Sequence, residues 1–431
     1  MNGVVVSKVA HLNFALQIKR VSGESRDGDV HPSSACGYAI NQSEFSALLF
    51  TRYLGNTMKK TLVLAAVAAS FASAAYAQSS VTLYGVVDAG LSYVNNEASV
   101  TGSAHHSAVA LTSGNVDGSR WGLRGKEDLG GDLAAVFTLE SGFNVANGRS
   151  NVSGRSFDRQ AFAGLSSPYG TLTLGRQYDS VVDYLGPLTA TGSWGGTYFA
   201  HPGDNDNANN SMRINNSVKF KSENYDGLSF SGLYGFSNQA GGFANDRAYS
   251  VGAGYENGGL KVAAGYLQAQ GLDRSSNGAI QDGAPDFGSA GTTQKQRTWG
   301  AGANYSFGPA VVGAVFTQSR FQFAVGDGSV RFNNYEVNAR YNLTPALSLG
   351  AAYTYTQAVV HSVGVASASS HWNQFGLQSD YALSKRTDLY AEGVVHVGAS
   401  GNAISTQVFG TDAPASGRNQ VVVSTGIRHR F

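Results

Sequence analysis

The sequence has little charge and almost no cysteine for its length. Of 431 residues, 14% are Asp, Glu, Lys or Arg, whereas a soluble protein usually has about a quarter. The one cysteine, Cys36, precedes a segment that we expect to be removed, so the mature chain lacks a disulfide framework, a thiolate metal site and a cysteine nucleophile. The formal net charge of +1 implies neither a nucleic acid nor an acidic partner.

Long hydrophobic runs are also lacking. After position 78 there is no apolar stretch of about 18 or more residues, which excludes a bundle of transmembrane helices. The chain is instead rich in glycine, with 55 residues, and in tyrosine and phenylalanine, with 43 together. Abundant glycine and aromatic residues with few charges indicate β structure in an unusual solvent.

An export signal lies upstream of this glycine-rich part. Residues 58–60 form a basic n-region, residues 61–75 an apolar h-region and residues 75–77 an A-x-A cleavage site. We expect a Sec signal peptide that is cleaved between Ala77 and Gln78. The alternative interpretation of the apolar run is a buried core helix.

The signal divides the chain into three parts. Signal peptides begin at the N-terminus, so residues 1–57 are interpreted as a non-native, disordered extension produced by a misassigned start. Residues 58–77 are the signal peptide, and residues 78–431 form one β domain.

From Val81 onward the dominant hydrophobic period is two, which predicts strands between an apolar and a polar medium. In the first strand, one face carries Leu83, Gly85, Val87, Ala89, Leu91 and Tyr93, and the other carries Thr82, Tyr84, Asp88, Gly90 and Ser92. The same alternation recurs at residues 347–356 and 420–431.

Short turns alternate with long polar loops along this domain. The short turns lie at 129–132, 167–170, 224–227, 256–259, 307–309, 342–345 and 383–386. The long segments are roughly 95–118, 144–155, 178–212, 237–247, 270–295, 321–331, 358–371 and 397–419. Seven turns and eight loops connect sixteen strands, the pattern of a transmembrane antiparallel β-barrel of the outer membrane.

Aromatic residues support a membrane barrel over a soluble β-sandwich. Those at or beside the short turns are Tyr169, Tyr225, Tyr255, Phe307, Tyr341 and Tyr381. Rings in these positions suit one membrane interface, although turn-flanking aromatics also occur in sandwiches. A barrel of sixteen strands is too wide for side chains to fill, so its polar face is expected to line a water-filled pore.

A bare tube of this width would pass large molecules, so we expect a constriction. The longest loop, 178–212, is the candidate to fold back into the lumen. Alternation places Arg120 and Arg124 on the polar face of one strand, and Arg213 with Lys219 on that of another. Arg159 is expected on the polar face opposite Gln160 and Phe162. These cations would attract anions, unless they are merely solvated lumen residues.

Acidic residues are available on both the loop and the wall. The loop acids are Asp179, Asp183, Asp204 and Asp206, and the inward wall acids are Asp88, Glu140, Asp380, Asp388 and Glu392. Which of these acids face the arginines stays open at the level of the sequence.

Six segments together resemble the general trimeric porins of Gram-negative outer membranes, of the beta-proteobacterial type. They are the runs 80–85 (SVTLYG), 119–130 (SRWGLRGKEDLG), 159–165 (RQAFAGL), 174–179 (LGRQYD), 213–220 (RINNSVKF) and 426–431 (GIRHRF). The resemblance covers Gln78 to Phe431.

The resemblance implies a homotrimer of sixteen-stranded barrels, each with its third loop folded into the pore, embedded among outer-membrane lipid and lipopolysaccharide. It also implies a basic cluster on the wall, matched by Arg120, Arg159 and Arg213, and acids on the loop. The family's terminal phenylalanine is read by the barrel-assembly machinery, and Phe431 matches it.

The chain departs from this family at the tip of the loop. Many relatives carry a Pro-Glu-Phe-Gly-Gly run, and the comparable stretch here is 192–196 (GSWGG) with Ser193 at the acidic position. Loss of that negative charge leaves the arginines less balanced, so we expect passive diffusion of small hydrophilic solutes with a weak anion preference.

Three other functions remain as alternatives. An outer-membrane enzyme has little support, because the histidines show no spacing for a triad or metal site, and no cofactor is expected. An adhesin or structural barrel whose loops bind a partner is not excluded by the sequence. A solute-specific channel is the third alternative.

The cleavage assignment is directly testable. We expect N-terminal sequencing of the mature protein to begin at Gln78, because the A-x-A site ends at Ala77. A mature product that begins upstream of Met58 would show that the assigned start and signal are wrong.

Overall fold

In the computed structural model, the β domain is a closed ring of antiparallel strands. The structure describes residues 80–99, 102–272, 278–283, 285, 287, 293–323, 328–362, 364 and 366–431. The proposed extension at 1–57, the signal peptide at 58–77 and the cleavage site at Ala77 and Gln78 lie outside these residues.

The described residues contain seventeen strands and a few short helical turns. The strands are β1 (Ser80–Ser99), β2 (Gly102–Ser113), β3 (Arg120–Gly130), β4 (Leu133–Gly142), β5 (Gln160–Ser167), β6 (Gly170–Gln177), β7 (Ile214–Ser222), β8 (Leu228–Gly235), β9 (Ala248–Asn257), β10 (Leu260–Gln270), β11 (Thr293–Phe307), β12 (Ala310–Phe323), β13 (Ser329–Asn342), β14 (Leu347–His361), β15 (Ala368–Ala382), β16 (Thr387–Gly398) and β17 (Asn419–Arg430). The helical turns are α1 (Ser180–Tyr184), the 3₁₀ turns Gly186–Leu188, Thr197–Phe199 and Pro202–Asp204, and the π-helical turn Thr191–Gly195. No helix among these residues is long and apolar enough to cross a membrane.

The ring has sixteen positions because β2 and β3 share one of them. One edge of β1 pairs with β17. The other edge pairs with β3 from Ser80 to Val86 and with β2 from Ala89 to Ser99, so residues 114–119 interrupt a single barrel strand. Each later strand pairs with its successor, and the predicted sixteen-stranded antiparallel barrel is confirmed.

All seven predicted short turns join adjacent strands, but three of the predicted loops, 95–118, 321–331 and 358–371, were too long. The second of these covers only 324–328, between β12 and β13. The segment 95–118 is mostly strand, since β1 continues to Ser99 and β2 covers Gly102–Ser113. The segment 358–371 shrinks to residues 362–367 between β14 and β15. Part of β2 does alternate, since Val109 and Leu111 are exposed on the outside and pair with Tyr93 and Leu91 of β1, but this run is too short to predict a strand by itself. Nearer the loop ends, backbone pairing continues among mostly polar and small residues.

The two faces of the wall differ as the alternation predicts. On β1, Val81 is 64% and Leu83 58% exposed on the outside, whereas Asp88 is fully buried on the inside. All six turn-flanking aromatic residues named above are exposed at the short-turn end. The outer surface is therefore an apolar band with rings at one rim, as a bilayer requires.

The segment between β6 and β7 crosses the lumen and begins with a capped helix. The Asp179 carboxylate accepts hydrogen bonds from the backbone N–H groups of Val181 (2.7 Å) and Val182 (3.3 Å), so Asp179 is the N-cap of α1. Its other oxygen accepts from the Asn207 amide at 2.7 Å. Buried Val181 and Leu185 belong to an apolar cluster that includes wall residues of β8 and β10.

The far part of this loop rests on glycines of the inner wall. A Cβ atom at Gly350 would collide with the Trp194 ring, and one at Gly376 would collide with the Phe199 ring. Neither space admits a side chain, so glycine is required where the two rings meet β14 and β15. The Thr197 backbone N–H donates to the Asn115 carbonyl at 2.7 Å, which ties the loop to the interruption between β2 and β3.

A fully buried histidine fastens the loop to β13. His201 Nδ1 lies 2.6 Å from Asp206 of the same loop, and Nε2 lies 3.0 Å from Glu336 of β13. The other oxygen of Glu336 accepts from the backbone N–H of Ala190, again in the loop. Burial alone would lower the pKa of His201, but the two carboxylates outweigh it and raise the pKa to about 10.

Removal of this anchor should destabilise the barrel. In His201→Leu, Asp206 and Glu336 lose their shared cation, and breaking a buried ion pair costs about 3–5 kcal/mol. We expect the folded form to convert to the unfolded form at a lower temperature on semi-native gels. The exposed His361→Leu is the matched control and should change little.

The stability that His201 contributes should depend on pH. A histidine whose pKa is raised on folding contributes its full stability below the unfolded value of about 6.5 and loses it as pH rises through about 10. The gap between wild type and His201→Leu should therefore narrow from neutral to strongly alkaline pH. A gap that widens with rising pH would contradict the charged state of His201.

Candidate functional site

The loop and the wall enclose a water-accessible lumen cavity of about 720 Å³. Its cationic lining is Arg120, Arg159, Arg213, Arg340, Lys385, Arg428 and Arg430, and its anionic lining is Asp117, Asp380 and Asp388. The tip of the loop contributes Gly192 and Ser193 to the same space. This cavity, which extends from the loop tip to the short turn at 383–386, thus has seven cationic side chains and three carboxylates among its lining residues.

Three of the five basic residues predicted for the constriction come together on one wall. The guanidinium carbons of Arg159 and Arg213 lie 5.9 and 6.0 Å from the centroid of the Tyr178 ring. Arg120 reaches the same region from the start of β3 and pairs with Asp117 at 2.6 Å. Stacking on one aromatic ring holds two like charges side by side without a shared counter-ion.

The acid that faces this cluster is Glu140 of β4. Its Oε1 lies 2.8 Å from Arg159 Nε, and its Oε2 lies 3.6 Å from Arg120 Nε. The hydroxyls of Tyr84 and Tyr178 also donate to it, at 2.9 and 2.7 Å. Glu140 therefore fixes the geometry of the cluster and neutralises one of its charges.

Arg213 is the least compensated member of the cluster. Its Nη1 donates to the Ser211 carbonyl at 3.0 Å, and no carboxylate of the described residues forms an ion pair with it. Burial and the neighbouring Arg159 lower the pKa of Arg213 to about 10, so the group is still a cation at neutral pH.

The other two predicted basic residues lie elsewhere. Arg124 and Lys219 line a second lumen cavity of about 490 Å³, towards the short-turn end of the barrel. Lys219 Nζ pairs with Asp183 at 2.6 Å, and Arg124 lies over the Tyr84 ring at 5.2 Å. The structure therefore does not group them with Arg120, Arg159 and Arg213.

Three of the four loop acids do not face the lumen. Asp179, Asp204 and Asp206 are fully buried. Asp179 caps α1, and Asp206 pairs with His201 as described above. Asp204 accepts from the backbone N–H groups of Asn209 and Ser211 at 2.9 and 3.1 Å and so closes a turn. These three acids therefore do not face the arginines, because the loop uses their carboxylates to hold its own fold.

Ser193 lies where the sequence places the missing acid, exposed at the loop tip. Its hydroxyl donates to the Thr189 carbonyl within the loop. The tip thus presents a neutral side chain and glycine to the arginine wall.

Sequence reasoning did not assign the cations of β13 and β17 to the constriction. Arg428 pairs with Asp380 and Asp388 at 2.9 Å each, and Arg430 pairs with Asp388 at 2.6 Å. Arg340 donates to the Ser348 hydroxyl at 3.0 Å. Strand alternation in β13 and β17 could have identified them, because it places these three arginines on the inward face.

Phe431 closes the ring. Its backbone exchanges two hydrogen bonds of 3.1 Å with Gly85 of β1, and its ring covers that glycine. The ring is 41% exposed at the short-turn end. A terminal residue in this position completes the last ladder of the barrel.

Comparison with known proteins agrees with this geometry. The Gram-negative porin family model matches residues 63–396. An outer membrane porin protein of Bordetella pertussis is 34% identical over 413 residues, covering 87% of this chain and all of the relative. Outer membrane porin protein 32 of Delftia acidovorans is 30% identical over 388 residues, again covering 87% of this chain and all of the relative.

Among solved structures, the anion-selective porin from Comamonas acidovorans superposes with a TM-score of 0.65 and 27% identity, covering 82% of this chain and all of that one. The closed sixteen-position barrel, the loop inside its lumen and the match over most of the chain lead to one assignment. The chain belongs to the Gram-negative porin family of outer-membrane β-barrels.

Proposed function

We propose that the barrel is a channel for the passive diffusion of small hydrophilic solutes and ions, with a preference for anions. The observation that carries the preference is the charge of the narrowed lumen. Seven cationic side chains and three carboxylates line the main cavity, and the loop tip adds Ser193 in place of an acid.

The charge of the second cavity also favours anions. Arg124, Lys126, Lys219 and Lys221 line it, and Asp183 is the one acid in its lining. A low-dielectric wall around water focuses the field of such charges along the axis. An anion therefore meets a favourable potential in both cavities, whereas a cation is opposed in both.

The loop determines what size of solute can pass. It is fixed to opposite parts of the wall by His201 and Thr197, so the narrowed passage does not depend on a mobile lid. The similar barrel from Comamonas acidovorans is an anion-selective porin, which lends further support to the preference. The family is one of channel proteins, and we propose that the chain has no catalytic activity.

The assembly is also part of the proposal. We propose a homotrimer in the outer membrane, in contact with lipid and lipopolysaccharide, whose Phe431 is read by the barrel-assembly machinery. The exposed position of the Phe431 ring at the short-turn rim supports access to such a reader.

Conductance tests the channel itself. Purified protein in a planar bilayer should give stepwise current increases in triplets, because each trimer contributes three lumens. A bilayer that stays silent with folded protein would contradict the channel and favour an adhesin or structural barrel.

Reversal potentials under a KCl gradient test the preference. Wild type should favour chloride, and Ser193→Glu should lower the chloride-to-potassium permeability ratio by about two- to fivefold, because one charge at the tip is worth about 1 kcal/mol in water. Arg159→Ser should act in the same direction, since it removes a cation and leaves Glu140 without its nearest cationic partner.

Ser369→Glu is the matched control for the selectivity test. It introduces the same charge at an exposed residue of β15 that does not line the two charged lumen cavities, so the permeability ratio should stay near that of wild type. Clear cation selectivity of the wild-type protein would overturn the proposed anion preference.

A further inference from the structure

The lining of the second cavity is mainly apolar, whereas the lining of the main cavity is mainly polar. Val136 of β4 and Phe162 of β5 form an apolar surface in the second cavity, and both are half-buried. Alternation counted from an inward Arg159 predicts that Phe162 faces the lipid, and this prediction is wrong. Arg159 precedes β5 rather than belonging to it, so the inward face begins with Gln160 and continues with Phe162.

The strand register places this apolar surface between cations. One row across the wall runs Lys126, Val136, Gly164, Thr173 and Lys219 on five successive strands, β3 to β7. The adjacent row pairs Arg124 with Thr138 and Thr138 with Phe162. Strands lie about 4.8 Å apart, so Arg124 stands roughly 10 Å from Phe162 along the wall.

Most of these cations have no carboxylate partner. Lys219 pairs with Asp183, but no described carboxylate lies within ion-pair distance of Arg124, Lys126 or Lys221. Among the described side chains, the Phe162 ring also stacks on no other aromatic ring and lies under no cation. Both the charges and the ring face are therefore available to a solute.

An inward apolar surface in a water-filled lumen is unfavourable unless something covers it, at about 25 cal/mol for each Å². A small inorganic anion would pair with the cations but leave Phe162 and Val136 exposed to water. A neutral ring would cover the apolar surface and leave the cations unused. A ring that carries one carboxylate satisfies both, and a cavity of about 490 Å³ has room for it.

We propose that this cavity is a binding subsite for aromatic carboxylates, with the ring on Phe162 and Val136 and the carboxylate directed to Arg124, Lys126 or Lys221. The proposal rests on the proposed channel function and adds to it a class of solute. The cations of the subsite are distinct from the arginine cluster, since Lys126 is six residues along β3 from Arg120, about 20 Å. The cavity does border the cluster, because Tyr178, on which Arg159 and Arg213 stack, also lines it. It raises the local concentration of such solutes at the short-turn end of the pore.

Block of the ionic current by added solutes tests the subsite. The purified full-length mature protein is placed in a planar bilayer in KCl, and benzoate, acetate or benzyl alcohol is added. Benzoate should halve the current at a concentration about three- to tenfold lower than acetate, because ring contacts add roughly 0.5–1.5 kcal/mol. Benzyl alcohol, which has the ring without the charge, should have little effect.

Substitutions test which side chains of the subsite bind benzoate. Phe162→Ser should bring the benzoate curve to that of acetate, whereas Phe162→Tyr, which keeps the ring, should retain the difference. The triple variant Arg124→Gln, Lys126→Gln, Lys221→Gln removes every cation proposed to receive the carboxylate. It should raise the half-blocking concentration of benzoate by a similar factor while the ring stays in place. Phe243→Ser, at an exposed phenylalanine of the 237–247 loop, is the matched control and should behave as wild type.

Folding of each variant is checked by its heat-dependent gel mobility, and the benzoate-to-acetate ratio is measured within each variant so that altered conductance cancels. Wild-type protein that conducts and prefers anions but responds equally to benzoate and acetate would overturn the subsite alone. A half-blocking concentration of benzoate that stays unchanged in the triple cation variant, or loss of the benzoate-to-acetate difference in Phe243→Ser, would also overturn it. A silent or cation-selective wild type would instead contradict the proposed function.

Discussion

The structure depends on one constraint, which is that the first and last strands must meet. Backbone N–H and C=O groups cannot be left without partners in hydrocarbon, so a sheet in a membrane has to close on itself. Here β1 pairs with β17, and Gly85 and Phe431 complete that ladder with a reciprocal pair of hydrogen bonds. Once the ring is closed, each strand has one face towards lipid and one towards water. The alternating sequence, the inward charges and the existence of a lumen all follow from this division.

The lumen loop shows how the protein divides its charged residues between holding a shape and acting on a solute. Asp179 caps a helix, Asp204 closes a turn and Asp206 binds His201. All three carboxylates therefore have partners within the loop or on the wall and do not act on a solute. The arginine wall then faces a loop tip that has no exposed carboxylate. The electrostatic character of the passage is thus set mainly by the wall, and the loop sets its width.

Much of the fold could be predicted from the sequence, because period-two alternation and turn composition are local properties. The short turns and the outward positions of Val81 and Leu83 are examples. The strand pairing within 95–118 was missed, because its only alternating hydrophobic residues, Val109 and Leu111, form a run too short to predict a strand without knowledge of its partner β1. The inward position of Phe162 was missed because alternation was counted from Arg159, which lies outside the strand. The Glu140 partner of the arginines and the burial of the loop acids could not be predicted, since both depend on contacts between distant segments.

The interruption at 114–119 links two parts of the molecule that are far apart in sequence. The Asn115 carbonyl, beside the seam between β1 and β17, receives the Thr197 N–H, while His201 a few residues later is held by β13. The two attachment points lie on parts of the wall that are ten strands apart along the chain, so the loop is held at both only when both parts of the wall are in place. A partly assembled sheet that lacks β13 would leave one end of the loop without its anchor and the opening without a defined width.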